Sequence, residues 1–259
     1  MNMLTNEKIW EIALMQSAVD YGCGPEDFLG EKPVVTRSRV HPRARKYLPL
    51  PFELDMTSYG NCVVAQCSER LEPVAREYLR RYDAAHMFET PHLQWLDKML
   101  APYGLKTCFM AEYFLPDVTL LKPLECSYRL EILGPEDFKD LYLPQWSDAL
   151  CEERKHLDVL GVGAYDGDTL VGLAGCSADC EEMWQIGVNV LPHYRRQGIA
   201  AAITSRLALE ILDRGKVPFY CAAWCNLKSV RNAIKCGFRP AWVTLTARDA
   251  AFVDRMNGE

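Results

Sequence analysis

The sequence predicts a mixed α/β protein whose sheet carries a phosphate-binding strand–loop–helix junction, and two observations lead to that expectation. The first is the run Val188-Asn189-Val190-Leu191-Pro192-His193-Tyr194-Arg195-Arg196-Gln197-Gly198-Ile199-Ala200, where β-branched strand sequence passes through two arginines to a glycine at the mouth of an apolar helix. A helix N-terminus offers backbone N–H groups without intrahelical acceptors and a partial positive charge of about half an elementary charge, so a pyrophosphate can sit there. Gly198, lacking a Cβ, lets an anion approach the main chain, and Ala200 keeps the next step narrow. The second observation is the stripe Ile199, Ile203, Leu207 and Ile211, repeating every four residues, which holds that helix against a sheet and fixes its N-terminus. Gly215 is its expected end.

The other elements follow in chain order. An amphipathic helix is expected from Asn6 to Asp20, stopped by Tyr21-Gly22-Cys23-Gly24-Pro25. The basic stretch Arg37, Arg39, His41, Arg43, Arg45 and Lys46 has no interleaved aromatics and reads as a solvated loop or strand edge. Asn61 to Cys67 reads as a strand, and Leu71, Val74, Ala75, Tyr78, Leu79 and Tyr82 have helical spacing. Thr90 then reads as an N-cap with Pro91 at the first helical position, the helix running to Tyr103-Gly104 before a strand from Leu105 to Leu115. Two prolines between Pro116 and Pro123 mark the expected boundary between a domain of residues 1–120 and one of residues 121–259. Beyond it come a strand at Tyr128–Leu133, two short helices starting near Pro135 and Ser147, and a strand at Val159–Tyr165. The turn Asp166-Gly167-Asp168 leads into Thr169–Ser177, and Met183–Val190 feeds the phosphate loop. The N-terminal half shows strand, helix, helix, strand, which would suit a degenerate copy of part of the later plan.

Composition narrows the function. The 259 residues are 49% hydrophobic and 25% charged, as in an ordinary soluble globule. A net charge of −6 argues against a general nucleic-acid partner. No run approaches the roughly eighteen apolar residues of a bilayer span, and Glu7, Lys8 and Glu11 interrupt the first apolar stretch, so a cytoplasmic protein without a membrane partner is expected. The 11 cysteines form no CxxC pair, which points away from a disulfide framework or zinc ribbon. Cys176/Cys180 and Cys221/Cys225 fall in strand-like sequence and read as buried thiols on one sheet face. The histidines show no ligand spacing, and no metal is expected.

The segment from Arg195 to Ala200 resembles the acyl-CoA pyrophosphate loop of the GNAT superfamily of N-acetyltransferases, matched at Arg195, Gly198 and Ala200 in the strand-to-helix context that loop requires. A second match follows the strand-like Val217–Trp224: Asn226, Ser229, Ala233 and Gly237-Phe238 resemble the superfamily's late helix and its exit. The resemblance covers about the last 140 residues. The length and two-part arrangement also resemble the two-domain acetyltransferase family that includes the zwittermicin A resistance protein, which acetylates an amine-bearing antibiotic.

The resemblance implies a GNAT-like core with an N-terminal α/β domain, acetyl-CoA as co-substrate, and transfer of acetyl to a primary amine of a small molecule by direct attack in a ternary complex. Two alternatives stay open: a CoA-binding regulatory module with weak or no chemistry, and acetylation of a protein or peptide amine. A homodimer is compatible with the sequence. The implied cofactor-binding residues are Val188, Asn189 and Val190 through their backbone, the loop Arg195, Arg196, Gln197, Gly198, Ile199 and Ala200, and Asn226 with Ser229. For Asn226 the sequence supports a plain N-cap equally well. The position where the superfamily often carries a glutamate base is Trp184 here; Glu182 would share its strand face and is the first candidate base, with Glu181 second. Solvation at a hairpin end accounts equally for both acids, and for Asp179 beside them. The expected tyrosine acid is replaced by Ala233, leaving Tyr220, Tyr194 and Ser229 as substitutes, each with a structural explanation of its own. Cys225 as a covalent nucleophile is the least favoured route.

Overall fold

A computed structural model describes residues 4–258. The elements in chain order are α1 (Asn6–Tyr21), β1 (Val34–Arg37), β2 (Leu54–Ser58), β3 (Val63–Cys67), α2 (Glu72–Arg81), α3 (Thr90–Leu100) and β4 (Leu105–Pro116). They continue as β5 (Arg129–Leu133), β6 (Asp158–Asp166), β7 (Thr169–Ser177), β8 (Met183–Val190), α4 (Ile199–Asp213), β9 (Val217–Ala223), α5 (Leu227–Lys235), β10 (Phe238–Asp249) and α6 (Ala250–Asn257). The chain is a mixed α/β protein, as the sequence predicts. Among the described residues no helix is long and apolar enough to cross a membrane.

By compactness the chain divides into two units, one formed by residues 1–13 and 113–240 and the other by residues 14–112 and 241–259. The first holds an antiparallel run β5–β6–β7–β8, extended by the parallel partner β9. Its core packs α4 onto the sheet: Ile199, Ile203, Leu207 and Ile211 are all fully buried, as their spacing requires, beside Val162, Val171, Ala174 and Ile186. Gly172 on β7 lies under the start of that helix, where a Cβ would meet Ile199 Cγ2 at 2.6 Å. A side chain there would lift the first turn of α4, so this glycine sets where the helix N-terminus sits.

In the second unit, β2 pairs antiparallel with β3 and with β10, and β1 adds parallel to β3. Met56, Ala65 and Leu245 share a core with Tyr78 of α2, Leu96 and Leu100 of α3, and Leu71 just ahead of α2. Arg37, Arg39, Arg43 and Lys46 are exposed at the end of β1 and in the loop after it, as expected of a solvated loop or strand edge, and the correction falls on Arg45. Arg45 is 4% exposed and bonds the buried Asp20 at 2.5 Å, with Asp20 also accepting from Gln16 and from the Arg45 backbone. A guanidinium can be withdrawn from water when a carboxylate and hydrogen bonds receive it. Strand β2 (Leu54–Ser58) lies where the sequence reading placed no element.

Further departures concern short elements. No α-helix forms near Pro135 or Ser147; the segment holds 3₁₀ turns at Pro144–Trp146 and Glu152–Leu157, with Gly134, Pro135 and Pro144 interrupting any longer run. The α3 N-cap is Glu89, one residue before Thr90. Cys180 and Cys225 lie beyond the ends of β7 and β9, so neither cysteine pair shares a strand.

Candidate functional site

The junction of β8 and β9 opens partway along. The two strands pair in parallel only over Met183–Ile186 opposite Val217–Tyr220, although β8 continues to Val190 and β9 to Ala223. On its other edge β8 stays paired with β7 as far as Val190. From Gly187 onward β8 therefore has one satisfied edge and one facing a gap, and main-chain polar groups in such a gap call for an outside partner. Val188, Asn189 and Val190 occupy this open stretch.

The loop after β8 ends at an uncapped helix. Gly198 is the N-cap of α4, with φ of +84° and no side chain to bond the first turn. Arg196 also has positive φ, at +65°. A non-glycine residue there costs on the order of 1–2 kcal/mol, so the loop holds a shape the local sequence alone would not choose. Left-handed residues at 196 and 198 turn successive backbone N–H groups inward, the arrangement that binds anions. Among the described residues, no other group accepts from the N–H groups of Arg196, Gln197 or Gly198. The loop is held from outside: Gln197 accepts from Tyr128 Oη at 2.5 Å and donates to the His193 carbonyl, Tyr194 donates to Asp166, and Arg195 Nε donates to the Val190 carbonyl at 3.0 Å. Arg195 thus folds back over the end of β8, while the exposed Arg196 side chain has no hydrogen-bond or ion-pair partner among the described residues. Ile199 is buried and anchors the helix, and Ala200 follows it half-buried in the first turn.

Asn226 caps α5, its Oδ1 accepting from Ser229 N at 3.3 Å. Ser229 Oγ in turn meets Tyr220 Oη at 2.7 Å. Tyr220 is 2% exposed, and burial raises its pKa, so the phenol keeps its proton at neutral pH. Ala233 is fully buried beneath these groups.

The acidic candidates lie elsewhere. Glu182 and Glu181 are exposed just ahead of β8; the Glu182 carbonyl accepts from Val217 N, and its carboxylate lies 3.9 Å from Lys216 Nζ. Five residues of strand, about 16 Å, separate Glu182 from Gly187. Trp184 packs into the core beside α4, so the face it shares with Glu182 is the helix-covered one. The structure does not bring Glu181 or Glu182 to the opening. Asp179 is fully buried and paired with Arg154 at 3.3 Å. Cys221, at the opening, accepts from Gln185 Nε2 at 2.9 Å, and burial pushes its thiol up to about 11, which leaves it protonated. Cys225 is exposed in the turn before α5.

One acid at the opening was missed. Three glycines stand in register across the sheet, Gly161 on β6, Gly175 on β7 and Gly187 on β8. Over them lies the segment running from Phe138 to Leu150: a Cβ at Gly161 would press the Phe138 ring at 3.1 Å, one at Gly175 would overlap the Ala149 carbonyl, and one at Gly187 the Asp148 carbonyl. Asn189 fastens the segment, accepting from the N–H groups of Asp148 and Ala149 at 2.9 and 2.8 Å and donating to Asp148 Oδ2 at 2.7 Å. Isolated glycines inside strand sequence are the only sign of this close approach in the chain itself.

A family model described as GNAT acetyltransferase matches residues 62–242. Among solved structures, the chain is similar to a GCN5-related N-acetyltransferase-like protein from Streptococcus suis at 23% identity, covering 60% of this chain and 68% of that one with a TM-score of 0.45. It is similar to an acetyltransferase of the GNAT family from Colwellia psychrerythraea at 18% identity, covering 61% and 62% with a TM-score of 0.43. A third, a GCN5-related N-acetyltransferase from Kribbella flavida, matches at 16% identity over 61% and 64% with a TM-score of 0.46. The chain thus spans about two thirds of the length of these structures. No curated protein matches it.

Proposed function

Since the chain belongs to the GNAT acetyltransferase family, we propose that it transfers the acetyl group of acetyl-CoA to a primary amine of a small molecule by direct attack in a ternary complex. The observation that carries this reading is the pairing of an uncapped α4 N-terminus, entered through Gly198 at φ +84°, with the gap between β8 and β9 that begins at Gly187. The loop Arg195–Ala200 receives the pyrophosphate, with Arg196 as its uncommitted cation. The open edge at Val188, Asn189 and Val190, where the Val190 carbonyl is already taken by Arg195, bonds the pantetheine amides and the developing oxyanion. Asn226 borders the cofactor while capping α5, and Ser229 orients Tyr220, whose retained proton suits it to donate to the departing sulfur. Residues 121–259 carry the transfer, and residues 1–120 form an N-terminal α/β domain with a substrate or structural role; the setting is cytoplasmic.

A binding module without chemistry is the second reading, favoured by Ala233 where a tyrosine acid is expected. A single assay separates the two. Acetyl-CoA stabilises the protein in both, but free CoA appears on adding primary amines only if transfer occurs. Stabilisation with no CoA release across a broad amine panel contradicts the transfer reading.

A further inference from the structure

We propose that Asp148 is the amine-binding residue of the acceptor site and that the acceptor is an alkylamine arriving as its ammonium ion, an inference that rests on the transfer reading above. The Asp148 carbonyl lies directly over Gly187, the first residue of β8 beyond its pairing with β9. This places Asp148 at the mouth of the opening, on the face away from α4. Its side chain is exposed, yet it is not a freely rotating surface acid. Asn189, inside the open stretch of β8, grips both the Asp148 backbone and Oδ2, which orients the carboxylate and leaves Oδ1 for a ligand. No cation of this chain neutralises it among the described ion pairs, whereas Asp179 and Glu182, ahead of the other end of β8, face Arg154 and Lys216. An oriented, unneutralised carboxylate at the point where the thioester would lie is built to receive a cationic nucleophile.

The chemistry balances with one proton passing through Asp148. The ammonium gives a proton to the carboxylate, and the freed nitrogen lone pair forms the C–N bond at the thioester carbonyl carbon. The C–S bond breaks with its electron pair leaving on sulfur, which takes the Tyr220 proton; the second nitrogen proton restores the phenol, and Asp148 releases the first to water. An arylamine, already neutral at pH 7, needs no such partner.

Asp148→Asn tests this, since an amide oxygen can still accept from Asn189 and keep the segment in place. In the purified full chain, the variant should keep acetyl-CoA stabilisation. It should lose about 10- to 100-fold in kcat/KM for alkylamines while arylamine turnover stays within about twofold, and Asp148→Glu should regain part of the loss. Equal losses for both amine classes would make the residue structural and overturn the proposal, as would unchanged alkylamine kinetics. A wild-type protein that acetyl-CoA does not stabilise overturns the transfer reading and this role together, an outcome distinct from failure of Asp148 alone.

Discussion

The two compact units treat polar groups in opposite ways. In the unit of residues 14–112 and 241–259, charged and hydroxyl groups are withdrawn from water and closed on one another: Arg45 on Asp20, Tyr21 and Thr246 on Asp55, Ser17 on Tyr59, Ser38 on Gln66. In the unit of residues 113–240, the strand edge beyond Gly187, the N–H groups before α4 and the Arg196 side chain are left open at the surface. Closed polar networks specify a core, whereas open, oriented polar groups await a ligand. The proposed site in this protein therefore rests on unsatisfied backbone and not on buried charge.

The comparison can be broken most forcefully at Arg45. Arg45→Met leaves Asp20 buried without its partner and should cost about 3–5 kcal/mol in urea unfolding, with Asp20→Leu in the same chain recovering most of the loss. Recovery would show that the pair specifies structure and does no chemistry; no loss would mean that the network is not closed.

Asp55 gives a pH test of the same network. Burial pushes its carboxyl up to about 6, outweighing the hydrogen bonds from Thr246 and Tyr21 that pull it down. Between the ordinary carboxylate value and about 6 the folded state holds a proton that the unfolded state has released, so this group's contribution falls as pH rises through that window. The fall should be about 2–3 kcal/mol between pH 4 and 7, and Asp55→Asn should remove it. Asp117 works in the opposite sense in the other unit. Thr119, Arg239 and Asn6 hold its carboxyl well below the usual range, so its stabilisation is lost as pH falls through the acid range.

The smallest expected effect sharpens the open side. Asn226→Ala should cost about 1 kcal/mol of stability through the lost α5 cap, while Asn226→Ser should keep the cap. If Asn226 also borders the cofactor, both variants should weaken acetyl-CoA binding about equally, as read by calorimetry. Binding that tracks stability alone would reduce Asn226 to a cap.

How far the sequence announced these features follows from the physics of each. The stripe from Ile199 to Ile211 and the glycine before it were legible because periodicity and backbone freedom are local properties. Strand β2 was not, since the buried Asp55 and Thr57 take their partners from Thr246 and Val243, distant in the chain, and their polarity hides the strand. Arg45 was misread for the same reason. Helices expected near Pro135 and Ser147 gave way to an irregular segment because the glycine row of Gly161, Gly175 and Gly187 lets backbone lie flat on the sheet. Asp148 owes its place to that row, and nothing around it in sequence signals a site. Glu182 was chosen by strand alternation, which assigns a face correctly but not a distance along the strand.

The central claim is that acyl-CoA is bound by the loop at Gly198, and acetyl-CoA stabilisation of wild type against Gly198→Glu tests it most directly. At a ligand concentration about 100 times Kd the wild type should gain about 2.7 kcal/mol, a rise in Tm of several degrees, and the carboxylate in the anion cradle should abolish most of that rise. An equal rise in the folded variant would place the phosphate site elsewhere and contradict the account.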